Sequence, residues 1–439
     1  MIENPFSFGD PIKESKHFVG RRREVAEIYT AIGQASSVSI VGERRIGKSS
    51  LLLYVTDPSV TLKNRLDLAK YVFAHFSFEG YSTISPTALW RQILNSIMGQ
   101  VRQLALVEQI TLYMARESLS HADLDVLLGK FHDAGITFVV AFDEFDTAAA
   151  NPSFDRDFFG GLRTLSAKHS VSWLVASHRD LIDLRYARPE AIGSPFFNFF
   201  RVVSLGGFTD DNVNTLLESG LAESGIVFRV SDRAFIDRYA GHHPYFVQAA
   251  AHYLFTAYAA KYFRDGQPDE RWVVERLRDV GRPQFRYYWD ESENGEKLIL
   301  ATLALIEQGD VTHYKLDQNF ADKSPSKEML RRLYQRALVE DDRSGRPRVF
   351  SDLFSEWISE QTAYIASDRI GNFEQLIHTA KIDGPWDRWV DTTERFRRGF
   401  AWVDTRAILK KVLVEKGPDV ALDLLSQIIV KILFPGSPS

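Results

Sequence analysis

No cysteine occurs in the 439 residues, which excludes disulfides, thiolate zinc sites and thiol nucleophiles. Any metal must then be held by oxygen or histidine, and the absence fits a reducing compartment. Long apolar runs are missing as well, because no stretch reaches the roughly 18 uninterrupted apolar residues of a membrane span. Val420 to Phe434 comes nearest, but Asp423 and Lys431 interrupt it, so it reads as an amphipathic helix packed on its own domain. The opening MIENPFSFGD has neither the basic start nor the apolar centre of a secretion signal, and a cytoplasmic location with no membrane partner is expected. Nor does one charge dominate. Fifty-three Lys and Arg against 58 Asp and Glu leave a net charge of −5, so the molecule as a whole is no electrostatic magnet for nucleic acid, although a local basic face is compatible with it. Internal repeats and low-complexity tracts are also lacking.

What is present is material for packed cores: 45% hydrophobic residues, with a 13% aromatic share. At roughly 100 to 200 residues per domain the length implies about three domains. Five short runs rich in β-branched and aromatic residues predict buried strands at Val38–Val41, Tyr71–Phe76, Thr137–Phe142, Val171–Ala176 and Arg201–Leu205. They are near-continuously apolar and alternate with helical periodicity, the pattern of a parallel sheet covered on both faces. This α/β region is assigned to residues 1–207. Residues 208–290 then read as helices broken by Gly220, Gly225, Gly241 and Pro244, a small helical lid. Across 291–360, three helices precede two strand-like pieces flanking the turn Asp342–Pro347, the outline of a winged helix. Residues 361–439 look all-helical, a small C-terminal domain of unknown type.

Directly after the first strand stands Gly42-Glu43-Arg44-Arg45-Ile46-Gly47-Lys48-Ser49-Ser50, followed by the helical run Leu51-Leu52-Leu53. This is GxxxxGKS in the setting it requires. Its glycines let successive N–H groups turn inward, and the following helix adds its positive end at the same point, so an anion belongs there. Lys48 is placed to reach β and γ phosphates, and the Ser49 hydroxyl to ligate Mg2+.

The third strand ends in Asp143-Glu144, which puts two carboxylates at the C-terminal edge of a parallel sheet, where ligands collect. Asp143 is expected to hold Mg2+ through its water shell, and Glu144 to orient or deprotonate the attacking water. The fourth strand delivers Ser177-His178-Arg179 to the same edge. Arg179 is the expected γ-phosphate sensor, since a guanidinium stabilises charge spread over phosphate oxygens, and Ser177 could add a hydrogen bond. His242 and His243 are adjacent and lack helical metal-ligand spacing, so no zinc site is expected there.

Together, Phe18-Val19-Gly20-Arg21-Arg22-Arg23-Glu24, Arg44 to Leu51, Asp143-Glu144, Ser177-His178-Arg179 and Gly241-His242-His243-Pro244-Tyr245 resemble the AAA+-related STAND class of P-loop ATPases. The likeness is greatest to its archaeal and bacterial group with a phosphate loop of the RRxGKTSL type, and it spans about residues 4–360. The resemblance implies a five-stranded parallel sheet, a helical lid and a winged helix, with ATP or ADP as ligand. It also implies that His17, Phe18, Val19 and Arg21 frame the base and ribose, that Pro244 approaches the nucleotide from the lid, and that Arg179 is the family's sensor arginine. Two departures stand out. No long repeat array follows the winged helix, and no arginine finger sits in a defensible motif, Arg163 and Arg188 being candidates.

An ATP-driven conformational switch of the signalling or defence type, hydrolysing between sheet and lid, is the function this reading favours. It calls for a protein partner or effector at the C-terminal helical segment, and allows self-assembly. The alternative is a DNA-binding ATPase of initiator or loader type, with Lys327, Arg331, Arg332 and Arg336 on a recognition helix and Arg343, Arg346 and Arg348 in the wing. The late aromatics Trp386, Trp389, Phe396, Phe400 and Trp402 read as the core of the last domain or a partner surface.

Overall fold

The structure is a computed structural model, and it describes residues 3–182, 184, 195–264, 266–307 and 325–368. Arg188, most of the C-terminal helical segment with its five named aromatics, and the Val420–Phe434 stretch lie outside the described residues, as does the side chain of Lys327.

All five expected strands form: β1 Val38–Gly42, β2 Tyr71–Ser77, β3 Thr137–Asp143, β4 Val171–Ser177 and β5 Arg201–Leu205. They make one parallel sheet in the order β2-β3-β4-β1-β5. The apolar runs follow from position, since every residue of β4 is buried and a strand covered on both faces has no place for an alternating pattern. Trp173 of β4 packs edge-on to Trp90 at 6.2 Å and stacks on Phe142 of β3 at 5.9 Å. Its indole N–H donates to Leu162 O at 3.1 Å, so a large apolar body is buried with its one polar atom satisfied. Truncation to alanine there is expected to cost roughly 3–5 kcal/mol.

Local signals start the covering helices. Ser85 caps the helix Pro86–Ile97 by accepting from Ala88 N, with Pro86 at its first position. Ser120 and Asp123 form a reciprocal capping box on the helix His121–Asp133.

The chain separates into two compact units, one of Ser7–Gly220 and one of Met1–Phe6 with Leu221–Ser439. The first holds the sheet. In the second, the helices Val230–Ala240, Pro244–Ala259 and Glu270–Asp290 are followed by Asn294–Glu307, Pro325–Gln335, a hairpin of Val339–Asp341 with Pro347–Val349, and Asp352–Asp368. One aromatic core runs through this unit: Phe246 stacks on Phe285 at 5.3 Å, Phe285 on Phe354 at 5.0 Å, and Phe350 meets Phe246 at 5.3 Å. The segments read as lid and winged helix therefore share their packing. Asn4 and Phe6 join the same unit, through Asn4 Nδ2 to His252 O at 3.0 Å and His252 Nδ1 with Phe6 O at 2.6 Å.

Candidate nucleotide site

The loop between β1 and the helix Lys48–Val55 is shaped by close backbone approach. A Cβ on Gly42 would lie 2.9 Å from Leu205 O and 2.8 Å from the Ile46 side chain. Gly47 has φ +101°, a conformation that side chains resist. Arg45 also lies in the left-handed region at φ +66°, so the curl is held by more than its glycines. Lys48 is buried and its ammonium donates to Gly42 O at 2.8 Å and Glu43 O at 3.1 Å. Burial lowers its pKa, opposed by the carboxylates of Glu144, Glu43, Asp146 and Asp143. A lysine so desolvated, at a helix N-terminus, is suited to phosphate oxygens.

β1 and β3 are separated in the sheet by β4, so the loop, the acidic pair and the end of β4 share one edge. Asp143 is buried, and one of its carboxylate oxygens accepts from Glu144 N at 3.0 Å. Glu144 adopts φ +52°, ψ +46° at the start of the helix Phe145–Ala150. A non-glycine residue in that region is strained by about 1 kcal/mol or more, and such strain concentrates at functional sites.

His178 follows β4 and faces this turn. Its backbone N–H donates to Asp146 Oδ2 at 2.9 Å, and its Nδ1 lies 3.2 Å from the same oxygen and 3.7 Å from Glu144 Oε2. Burial would raise the Asp146 carboxyl, but the hydrogen bonds and charge of His178 outweigh it and hold Asp146 below the usual range. Arg179, the expected sensor, is exposed, and its carbonyl accepts the Ser177 hydroxyl at 2.8 Å. His178, which the sequence reading passes over for its neighbour, thus meets Asp146, which it does not single out, and stands beside Glu144. A histidine directly after a buried strand, beside a strand ending in Asp-Glu-x-Asp, is the signal that points to them.

The N-terminal segment runs along the phosphate loop. Ile12 N donates to Ser50 Oγ at 3.0 Å, and the Arg45 guanidinium donates to Gly9 O. His17 is exposed beside Glu14, and Phe18 stacks on Tyr54 with ring centres 4.1 Å apart. Val19 is half-buried and Arg44 is exposed, its backbone N–H donating to the Glu43 carboxylate at 2.8 Å. Arg21 is buried at φ +62°; its guanidinium donates to Gly206 O at 2.7 Å and Ile46 O at 3.2 Å, pairs with Glu24 at 3.4 Å, and lies over the Phe208 ring. Its charge therefore ties the phosphate loop to the exit from β5. Pro244 is the buried first residue of the helix Pro244–Ala259 in the other unit. Arg163 lies on the helix Arg156–Lys168 and is exposed.

The arginines read as a DNA face are engaged with acids of their own unit. Arg331 pairs with Glu328 at 2.7 Å, Arg332 with Glu293 at 2.8 Å, Arg336 with Glu296 at 2.9 Å, Arg343 with Asp237 at 3.6 Å, Arg346 with Asp342 at 3.0 Å, and Arg348 with Glu340. Asp237, His242 and Glu340 form a three-ligand cluster, but Arg348 already supplies its countercharge.

The model of the family described as Novel STAND NTPase 2 matches residues 26–304. No curated protein matches the chain. Among solved structures, the ORC2 protein of Aeropyrum pernix, in ADPNP–ADP complexes, superposes with a TM-score of 0.50 at 15% identity, over 82% of this chain and 97% of that one. A Walker-type ATPase of Pyrococcus abyssi gives 0.49 at 13% identity, over 80% and 98%. At this identity the ORC2 likeness concerns the fold. Among the described residues, no helix is long and apolar enough to cross a membrane.

Proposed function

The chain belongs to the novel STAND NTPase 2 family, and from that premise we propose that it binds and hydrolyses ATP with Mg2+ as a nucleotide-controlled conformational switch. The observation that carries this reading is the convergence of a buried Lys48 on a curled glycine loop with Asp143 and Glu144 at the same edge of one sheet. The residues present fit the ligand: N–H groups from Gly42 to Ser50 cradle the phosphates, and a Cβ at Gly42 would crowd the loop.

Ser49 and Asp143 would hold Mg2+, which when bound neutralises phosphate charge. Lys48 binds the β and γ phosphates in water-poor surroundings, where its charge acts strongly. Glu144 orients the attacking water and draws its proton. Arg179, exposed in this structure, serves as γ-phosphate sensor only if nucleotide draws it inward. His17, Phe18 and Val19 beside the loop are assigned to the base, and Pro244 to the lid-side contact, on the strength of resemblance. Arg21 and Ser50 contribute through the contacts that hold the loop in shape.

The switch reading extends to a protein partner at the C-terminal segment and to self-assembly. The division into parts 1–207, 208–290, 291–360 and 361–439 also belongs to it. The initiator-type alternative is kept as the second reading: the arginines proposed for the duplex pair with carboxylates of their own unit, and the exposed pairs among them are weak enough to be exchanged for phosphates. The test is nucleotide content and ATP turnover of the purified protein across a concentration series, with and without duplex DNA. Turnover that is strongly slowed in Glu144→Gln, while ATP is still retained, supports the reading. Normal turnover in that variant overturns the role of Glu144.

A further inference from the structure

We propose that His178, anchored by Asp146, is a positioning residue that holds the Glu144 carboxylate in place for water activation. The inference rests on the ATPase reading above.

Sheet order brings the group to its place. β4 lies between the strand that feeds the phosphate loop and the strand that ends in the acidic pair, so the residue leaving β4 stands between the two. Glu144 needs an external hold. Its backbone is in the left-handed region, and its side chain is about one-third exposed, with room to sample several rotamers. His178 is more enclosed, with its side chain 20% exposed, and it is fixed twice by one oxygen: the backbone N–H and Nδ1 both meet Asp146 Oδ2. With Nδ1 carrying the proton, that N–H hydrogen-bonds Asp146 Oδ2 at 3.2 Å, and Glu144 Oε2 lies 3.7 Å from the same nitrogen, a contact in which the ring acts on the carboxylate by electrostatics and packing. Asp146 sits on the first turn of the helix that begins after Glu144, so the turn and the strand end are clamped together. Lys48 faces the same acids, interacting electrostatically with Glu144, Glu43, Asp146 and Asp143.

A general base displaced by an ångström loses much of its advantage, about 100-fold in unfavourable cases. The expected result for His178→Ala or the near-isosteric Asp146→Asn is a fall in kcat of about 10- to 100-fold, with ATP affinity changed less than about threefold. His178→Asn retains a donor near the position of Nδ1 and should recover most of the rate. The deciding measurement is a double-mutant cycle under single-turnover conditions with radiolabelled ATP. In the Glu144→Gln background, His178→Ala should cause little further loss, because the two residues act as a unit. Multiplicative losses in the cycle, or an unchanged kcat in both His178→Ala and Asp146→Asn, would overturn the inference while leaving the ATPase reading intact. Normal turnover in Glu144→Gln alone would remove the ATPase assignment of Glu144, and the inference with it.

Discussion

Two charged regions invite comparison, the Asp143–Asp146 turn with Lys48 and His178, and the arginines of residues 331–348. Along the chain the arginine set is the more emphatic, with six arginines within 18 positions. In the fold it is the quieter of the two. Arg332 and Arg336 reach back to Glu293 and Glu296 at the start of the preceding helix, and Arg348 reaches across the hairpin to Glu340. Each charge is met locally. Around Glu144, whose own backbone is left-handed, Glu43, Asp143 and Asp146 are by contrast gathered with it about the buried Lys48 ammonium, and His178 lies beside Glu144 and Asp146. Acids gathered beside a buried lysine at the mouth of a glycine loop suit a cation and phosphate chemistry together.

The comparison is broken most directly at Lys48. Lys48→Ala should lower ATP affinity or turnover by about 100-fold or more, read by nucleotide titration and initial rates, whereas loss of any single arginine of the 331–348 set should leave both unchanged. Next in size is a packing test between the two segments of the helical unit. Gly241 has φ +53°, and a Cβ there would lie 2.1 Å from Phe350 O. Gly241→Ala should cost roughly 3 kcal/mol or more, seen as a lower denaturant midpoint. Smaller again, Arg332→Glu with Arg336→Glu sets like charges beside the nearly buried Glu296, and about 2 kcal/mol of destabilisation is expected. The parent protein should not retain duplex DNA above a neutral control; retention that weakens in Arg331→Glu, with the salt slope reduced by about one, would restore the recognition-helix reading.

The smallest effect is at the hairpin turn. Burial opposes ionisation of Asp342, but hydrogen bonds from Ser344 and Arg346 prevail and lower its pKa to about 2. A carboxyl depressed in the folded state contributes stability above its unfolded value of about 3.8 and loses it as pH falls through about 2. Asp342 is partly exposed, so the contribution is below about 1 kcal/mol. Asp342→Ala should lower the thermal midpoint slightly at pH 6, and the difference should vanish near pH 2.

Much of this was legible before the fold was known, for identifiable reasons. Four of the strands were readable because a sheet covered on both faces demands near-continuous apolar runs, Arg201–Leu205 by its β-branched residues although three of its five residues are exposed, and Gly42 to Ser50 because a backbone cradle fixes its residue types by conformation. The role of His178 was less legible, because its contact with Asp146 depends on where Asp146 stands after a left-handed turn at Glu144. Arg21 is a similar case. The motif around it implied a place by the base, whereas the structure buries its guanidinium on Gly206 O and Ile46 O.

By itself, then, the sequence determined the sheet, the phosphate loop and the two acids at the strand end, because each depends on local conformation or on a period of apolar residues. Only the tertiary structure decided which charges find partners: the arginines of 331–348 meet their acids through helix packing and a hairpin, and His178 meets Asp146 because β4 lies between β1 and β3. Pairing across elements is a matter of distances of a few ångströms, which a linear pattern can suggest but does not fix.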